Sequence, residues 1–135
     1  MEDISLHILD IAENSIRANA KNINIIIIED KKNDLLTLTI EDDGEGMDDK
    51  TKEYALNPFF TTKKGKKVGL GLAFLSHSAE EAGGAMKIES EPGNGTKITV
   101  KLGHIDRKPL GNLNETIKCL KTTHPEIIIT FDHVK

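Results

Sequence analysis

The order of sequence patterns in this chain predicts an α+β fold, a two-layer α/β sandwich whose mixed, mainly antiparallel sheet carries helices on one face. Segments with helical periodicity alternate with pairs of short β-branched segments, and a turn-forming sequence joins the strands of each pair. The 135 residues, 37% of them hydrophobic, suit one domain built around one core.

A helix and a hairpin open the chain. Apolar residues recur at helical spacing over residues 4–20 and predict an amphipathic helix. Residues 23–29 are rich in isoleucine and predict a buried strand, and residues 35–41 alternate as a second strand. The charged turn between these strands predicts that they form a hairpin.

The middle of the chain begins with a different pattern. Residues 42–68 are rich in Asp, Gly and Lys and show no sustained period, which predicts a long loop of functional importance. Residues 71–82 predict a helix that ends at two glycines. Residues 85–89 and 96–102 predict a second hairpin around a turn rich in Gly, Pro and Asn.

The last part of the sequence predicts a connector over residues 104–111, a short helix over 112–120 and a strand over 126–131. We therefore assign residues 1–103 to one domain and residues 104–135 to a C-terminal extension of unknown role. The strand of this extension could pair with a sheet edge of the same domain or of a partner.

Composition excludes several classes of protein. The net charge of −4 provides no basic footprint, so a nucleic-acid partner is not expected. The single cysteine excludes an internal disulfide framework. The start of the sequence does not resemble a signal peptide, and the longest apolar run, residues 25–28, is too short to cross a membrane. We expect a cytoplasmic protein with no membrane partner.

The first predicted helix carries three polar residues on one face. Asp10 and Asn14 are one turn apart, and Arg17 follows on the same side. An amide oxygen is a neutral ligand for Mg²⁺, a guanidinium can hold phosphate oxygens, and a carboxylate can polarise an attacking hydroxyl or water. Taken alone, the pattern is more typical of the solvated face of an amphipathic helix.

Two glycine-rich segments add to this pattern. The segment Asp42–Met47 follows a predicted strand, and a carboxylate there can accept a hydrogen bond from an exocyclic amine such as that of adenine. A plain turn would explain it as well, but a calcium loop would need a later glutamate that is absent. Gly69–Leu72 precedes a predicted helix, where backbone N–H groups attract phosphate, although a hinge with a helix cap is the alternative. Thr96 follows Gly95 and could add a hydroxyl to a base pocket.

Together these segments resemble the GHKL superfamily of ATP-binding domains, which includes histidine kinases, anti-sigma serine kinases, gyrase, mismatch-repair ATPases and heat-shock chaperones. The resemblance runs from about Leu6 to Leu102. It includes the N box (10–20), two glycine boxes (42–47 and 69–72) and an F-box-like segment (57–63), which looks most like the histidine-kinase branch.

The resemblance implies the Bergerat fold with ATP and Mg²⁺ as ligands. Asn14 would bind the metal, Asp42 would recognise the adenine amine, and Lys63 would contact phosphates from a mobile lid. Asp10 would be the catalytic residue. The implied cofactor-binding residues are Asn14, Arg17, Asp42, Gly44, Gly46, Met47, Thr62, Lys63, Gly69, Leu70, Gly71, Leu72 and Thr96.

Three positions depart from the pattern of the superfamily. Asp10 stands where its ATPase branches usually carry Glu, and Asp is one methylene shorter. Asp43 stands where kinases often carry Asn, and Lys67 stands where the second glycine box often has a further Gly. The first departure bears on water activation and the third on how the lid closes.

The resemblance implies binding of MgATP and transfer of its γ-phosphoryl group to a protein, by a histidine kinase-like or an anti-sigma-type serine kinase. Because only a few residues precede the N box, we expect a stand-alone ATP-binding subunit or a free kinase domain. Two alternatives stay open, a nucleotide-gated binding module and a slow ATPase that uses Asp10 as its base. We expect a protein partner or phosphoacceptor, and a homodimer is also compatible with the sequence.

Overall fold

The computed structural model of the chain describes residues 4–56, 77, 79–80, 84–103 and 112–134, apart from the side chains of residues 6, 51 and 54–56. The helix that we predict over residues 71–82 lies largely outside this part of the chain, although His77, Ala79 and Glu80 are helical. The predicted connector over residues 104–111 lies outside it as well.

One sheet organises the described residues. In chain order the elements are α1 (Ile4–Arg17), β1 (Asn22–Asp30), β2 (Leu35–Asp42), α2 (Asp49–Leu56), β3 (Ala85–Ser90), β4 (Thr96–Gly103), α3 (Leu113–Thr123) and β5 (Ile128–Val134). The five strands lie in the order β3-β4-β2-β1-β5. β5 is parallel to β1, and the other neighbouring strands are antiparallel. This mixed, mainly antiparallel sheet with helices confirms the predicted fold class.

The core lies between one face of the sheet and the helices. Ile8 and Ile11 of α1 and Leu120 of α3 belong to the same buried cluster as Ile25 of β1 and Leu38 of β2. These helical residues recur at the spacing of one helix face, and the strand residues alternate, so each element turns one apolar side inward. This buried cluster supports the loops that are described below.

The run of isoleucines predicts a buried strand, but β1 is fully buried on only one of its two faces. Ile23, Ile25 and Ile27 are buried, but Ile26 is half-buried and Ile28 is 42% exposed. The reason is the strand geometry, which sends successive side chains to opposite faces. A run of β-branched residues therefore predicts the strand correctly and overestimates its burial.

α1 ends before the predicted boundary. The last helical residue is Arg17, and Asn19 takes a left-handed conformation with φ of 63°. The amide of Ala20 then donates to the carbonyl oxygen of Ser15 at 3.1 Å, which closes the helix end. This tight end brings the carbonyl of Ala18 next to the loop that follows β2.

The loop prediction for residues 42–68 is wrong in part, because α2 occupies Asp49–Leu56. The helix has only 8 residues, which is too short to establish a clear period in the sequence. Acidic side chains at the start of this helix interact favourably with the positive end of the helix dipole and stabilise the helix. The carbonyl of Asp48 accepts the first backbone hydrogen bond, from Lys52, at 3.0 Å.

The C-terminal elements join the same sheet and core. Asn112 caps α3 by accepting a hydrogen bond from the amide of Glu115 at 3.0 Å, and β5 begins at Ile128, where the amide donates to the carbonyl of Lys21 at 2.8 Å. The strand lies slightly later than residues 126–131. The domain boundary between residues 103 and 104 stays a prediction. Among the described helices, none is both long and apolar enough to cross a membrane.

Candidate nucleotide site

A cavity opens between α1 and the ends of β2 and β4, below the loop that leaves β2. Its wall combines apolar side chains with a few polar groups, which is the usual composition of a small-molecule site. The lining residues are Ile11, Asn14, Ser15, Ala18, Asp42, Gly46, Met47, Thr96 and Ile98. Five of the predicted binding residues, Asn14, Asp42, Gly46, Met47 and Thr96, are therefore brought together here.

Asp42 is the central polar residue of this cavity. Its Oδ2 accepts a hydrogen bond from the hydroxyl of Ser15 at 2.5 Å, and its Oδ1 accepts one from the amide of Gly44 at 2.9 Å. Each carboxylate oxygen can accept more than one hydrogen bond, so both keep acceptor capacity for a ligand. The two donors fix the orientation of the carboxylate, which can then meet an amino group without reorganising.

The neighbouring Asp43 has a structural role at the start of β1. Its carboxylate accepts hydrogen bonds from the side-chain amide of Asn22 at 2.7 Å and from the backbone amides of Lys21 and Asn22 at 2.8 and 2.9 Å. These bonds, led by that of the Asn22 side chain, lower the pKa of Asp43 from 3.8 to about 2. Asp43 thus ties the loop to the start of β1, with both carboxylate oxygens engaged there.

Glycines allow the loop after β2 to pass between its neighbours. A Cβ at Gly44 would lie 2.8 Å from the carbonyl oxygen of Ala18, and Gly46 has φ of +75° with the carbonyl oxygen of Glu91 only 2.0 Å from its Cβ position. Backbone hydrogen bonds hold the loop from both sides, from Glu45 to Ala18 at 2.8 Å and from Gly93 to Glu45 at 2.7 Å. Side chains at these glycines would push the loop away from the cavity.

Ser90, the last residue of β3, connects this loop to the cavity floor. Its hydroxyl contacts the amide of Met47 at 2.7 Å, the carbonyl oxygen of Gly95 at 2.8 Å and the hydroxyl of Thr96 at 2.8 Å. Both Ser90 and Thr96 are 9% exposed. Thr96, which lines the cavity, therefore has its hydroxyl held in a fixed position.

The polar face of α1 forms the outer side of the site. Asn14 is half-buried in the cavity wall, and its Oδ1 accepts a hydrogen bond from the Arg17 guanidinium at 3.0 Å. Arg17 and Asp10 are exposed on the same side of the helix. Mg²⁺ often takes a single protein oxygen together with phosphate oxygens and water, so Asn14 Oδ1 fits this metal. No cluster of three or more acidic, histidine or cysteine ligands exists among the described residues.

Sequence reasoning missed three residues at the site. Ser15 shares the buried side of α1 with Ile8 and Ile11, and a serine among apolar residues at this spacing is the one signal that could have identified it. Ser90 carries no recognisable motif. Lys52 of α2 lies in an adjoining cleft that also includes Asp42 and Thr96, and its amine donates to the carbonyl oxygen of Ser90 at 3.1 Å.

The remaining predicted residues belong to the lid and the second glycine box. They are Thr62, Lys63, Gly69, Leu70, Gly71 and Leu72, and they lie outside the described part of the chain. Their roles stay predictions.

Comparison with known families agrees with the geometry of this cavity. The family described as "Histidine kinase-, DNA gyrase B-, and HSP90-like ATPase" matches residues 2–104. The chain belongs to this family. Its N box and first glycine box are thus α1 and the loop after β2, which form two sides of the cavity.

Curated relatives of the chain include sensor kinases. The chain is 34% identical over 103 residues to the sensor histidine kinase ZraS of Salmonella typhi, and 35% identical over 109 residues to the sensor protein kinase FleS of Pseudomonas aeruginosa. These alignments cover 75% and 80% of the chain, but only 22% and 27% of the relatives. The chain therefore spans about a quarter of the length of these kinases.

Among solved structures, the ATPase domain of MutL from Aquifex aeolicus, in complex with ADP, has the same fold. Its TM-score is 0.64 at 20% sequence identity, and the alignment covers 98% of this chain and 60% of that one. The family match and the kinase relatives identify an ATP-binding domain of the histidine kinase type, and the MutL structure shows that the fold is shared.

Proposed function

We propose that this chain binds MgATP and passes the γ-phosphoryl group to a side chain of a protein partner. The observation that carries the proposal is the carboxylate of Asp42, which Ser15 and Gly44 orient toward an otherwise largely apolar cavity. A fixed acceptor in such a pocket matches the exocyclic amine of adenine, and a carbonyl in the same place would be repelled.

The metal and the phosphates lie along α1 in this proposal. Asn14 provides a neutral oxygen for Mg²⁺, and the ion neutralises phosphate charge when it is bound. Binding requires the Arg17 guanidinium to share Asn14 Oδ1 or to turn toward a phosphate oxygen. Asp10 is exposed one turn earlier and would position the attacking group. Thr62, Lys63 and the segment 69–72 would close over the phosphates.

A protein acceptor is favoured over water for two reasons. The curated relatives described above are named as sensor kinases, and the carboxylate at position 10 is shorter than the usual Glu of the ATPase branches. Phosphoryl transfer needs little covalent chemistry from the protein, because most of the catalysis comes from positioning and charge stabilisation. The acceptor can then supply its own nucleophile.

Isothermal titration calorimetry with MgATP tests the binding step. We expect the wild type to bind and Asp42→Asn to lose about 10- to 100-fold in affinity, since a hydrogen bond to a charged acceptor is removed. The matched control is Asp43→Asn, which changes the adjacent carboxylate that faces away from the cavity and should leave affinity essentially unchanged. No heat with the wild type, or equal losses in both variants, would contradict the proposal.

The transfer step is tested with ATP labelled at the γ-phosphate and candidate acceptor proteins. We expect label on an acceptor with the wild type and much less with Asp42→Asn. The acid stability of the label identifies the acceptor, because phosphohistidine is hydrolysed in acid and phosphoserine is not. ATP binding without labelling of any acceptor would favour the nucleotide-gated module instead.

A further inference from the structure

The hydrogen bonds of Ser90 determine where its single hydroxyl proton lies. The carbonyl oxygen of Gly95 can only accept, and the amide of Met47 can only donate. Ser90 must therefore donate its proton to Gly95 and accept from Met47. One lone pair on its oxygen then remains for the Thr96 hydroxyl, 2.8 Å away.

This arrangement also fixes the proton of Thr96. Because the proton of Ser90 is used at Gly95, the Thr96 hydroxyl has to be the donor in the contact between the two side chains. The oxygen of Thr96 consequently offers only lone pairs to the cavity. The ionised carboxylate of Asp42 is also an acceptor without a donor, so Asp42 and Thr96 present the same hydrogen-bond polarity to the cavity.

From this proton order we propose that Ser90 is a positioning residue that determines base specificity, through the orientation of the Thr96 hydroxyl. Ser90 holds Thr96 as an acceptor, so that Asp42 and Thr96 together select an exocyclic amine, directly or through a bound water. Adenine carries such an amine at C6. Hypoxanthine and guanine place a carbonyl there, which meets acceptors on both sides. The inference rests on the proposed function, since it needs a nucleotide in this cavity.

Removing the Ser90 hydroxyl should change selectivity as well as affinity. In Ser90→Ala the Thr96 hydroxyl loses its acceptor and becomes able to rotate and donate into the cavity. We expect the ratio of the ATP affinity to the ITP affinity to fall about tenfold, which corresponds to one lost or reversed hydrogen bond. A purely structural role would weaken both nucleotides equally and leave the ratio unchanged.

A double-mutant cycle distinguishes a role of Ser90 in base specificity from a purely structural role. The dissociation constants for MgATP and MgITP are measured by calorimetry. Thr96→Val removes the hydroxyl through which Ser90 is proposed to act. If the inference holds, Ser90→Ala lowers the ATP to ITP ratio in the wild type but not in the Thr96→Val background. Equal effects of Ser90→Ala in both backgrounds would overturn it. Thr99→Ala, on the opposite face of β4, is the control that should not change the ratio.

Two further measurements keep the inference decidable. If Ser90→Ala does not fold, Ser90→Cys replaces it. A thiol is similar in size to a hydroxyl and is a weaker hydrogen-bonding group. We therefore expect a change of the affinity ratio in the same direction, but a smaller one. Failure of the wild type to bind either nucleotide would reject the proposed function itself. Binding of ATP with an unchanged ratio in the variants would reject only the role of Ser90.

Discussion

At the end of the sheet that carries Asp42, polar contacts connect three segments that are far apart in sequence. The loop after β2 is held by α1 on one side and by the turn between β3 and β4 on the other. At the other edge, α3 and β5 add buried apolar residues such as Leu120 and Ile129 to the core, and β5 extends the sheet beside β1. The polar pair of His133 and Glu29, 2.6 Å apart, adds to this edge.

The two regions differ in the kind of contact that holds them and in what that contact is suited to. Hydrogen bonds depend on the position and direction of each group, so they suit an end that must present fixed acceptors to a ligand. Apolar burial is not directional, so it suits an edge whose task is to complete the core. Substitutions at the first end should therefore change ATP binding, alone or together with stability, whereas substitutions at the second should change stability alone.

The largest effect is expected from Gly95→Ala at the nucleotide end. Gly95 has φ of +79°, and a Cβ there would lie 2.1 Å from the carbonyl oxygen of Asp42. Because backbone atoms would have to move, we expect a loss of about 3 to 5 kcal/mol of unfolding free energy and loss of ATP binding, measured by urea denaturation and calorimetry.

Gly93→Ala is the matched control for this substitution. Gly93 lies in the same turn with φ of +85°, but nothing lies within 4 Å of its Cβ position. Only the cost of a left-handed alanine is expected, about 1 to 2 kcal/mol, with ATP binding retained. Similar behaviour of the two variants would show that the close approach to Asp42 is unimportant.

A smaller loss, confined to stability, is expected at the opposite edge. Leu120→Ala leaves a cavity at a side chain with 0% exposure and should cost about 2 to 4 kcal/mol in urea denaturation. The ATP affinity of the folded variant should stay close to that of the wild type. Cys119→Ala, at an exposed position of the same helix, is the control and should change neither quantity. A weaker ATP affinity in Leu120→Ala would mean that the two ends are coupled.

The smallest effect concerns acid stability at the junction of the loop and β1. Hydrogen bonds lower the pKa of Asp43 to about 2 in the folded chain, so the carboxylate stabilises the fold above the unfolded pKa of about 4 and loses this contribution as the pH falls toward 2. Asp43→Asn should therefore be less stable than the wild type at pH 7, and the difference should shrink below about pH 4.

Urea denaturation at a series of pH values from 7 to about 3 measures this difference. Asp132→Asn, which removes an exposed carboxylate of β5, is the control and should give a difference that does not vary with pH in the same way. A constant difference between Asp43→Asn and the wild type would show that the hydrogen bonds from Asn22 and Lys21 do not act on the charged form.

Much of this architecture could be predicted from local patterns. Periodicity identified α1, both hairpins and the C-terminal helix and strand, and the motif around Asp42 indicated a carboxylate that lines the candidate cavity. The prediction was wrong where a local pattern is ambiguous or short. The run of isoleucines in β1 could not reveal that Ile28 is exposed, and the 8 residues of α2 were too few to establish a period.

The contacts that orient the site could not be predicted in the same way. Ser15 and Asp42 are 27 residues apart, and Met47 and Ser90 are 43 residues apart. Apart from the apolar positions around Ser15 in α1, the sequence does not distinguish a solvated serine hydroxyl from one that holds a binding group, because the difference lies in what surrounds it.

The sequence by itself determined most of the elements, the family and the candidate acidic residue Asp42, because these follow from spacing and residue type along the chain. The tertiary structure alone decided that Asp42 and Asp43 bind different partners, that Ser15 and Ser90 hydrogen-bond to the polar groups of the cavity, and that β5 lies beside β1. Hydrogen-bond direction and strand order depend on which distant segments meet, and only folding brings those segments together.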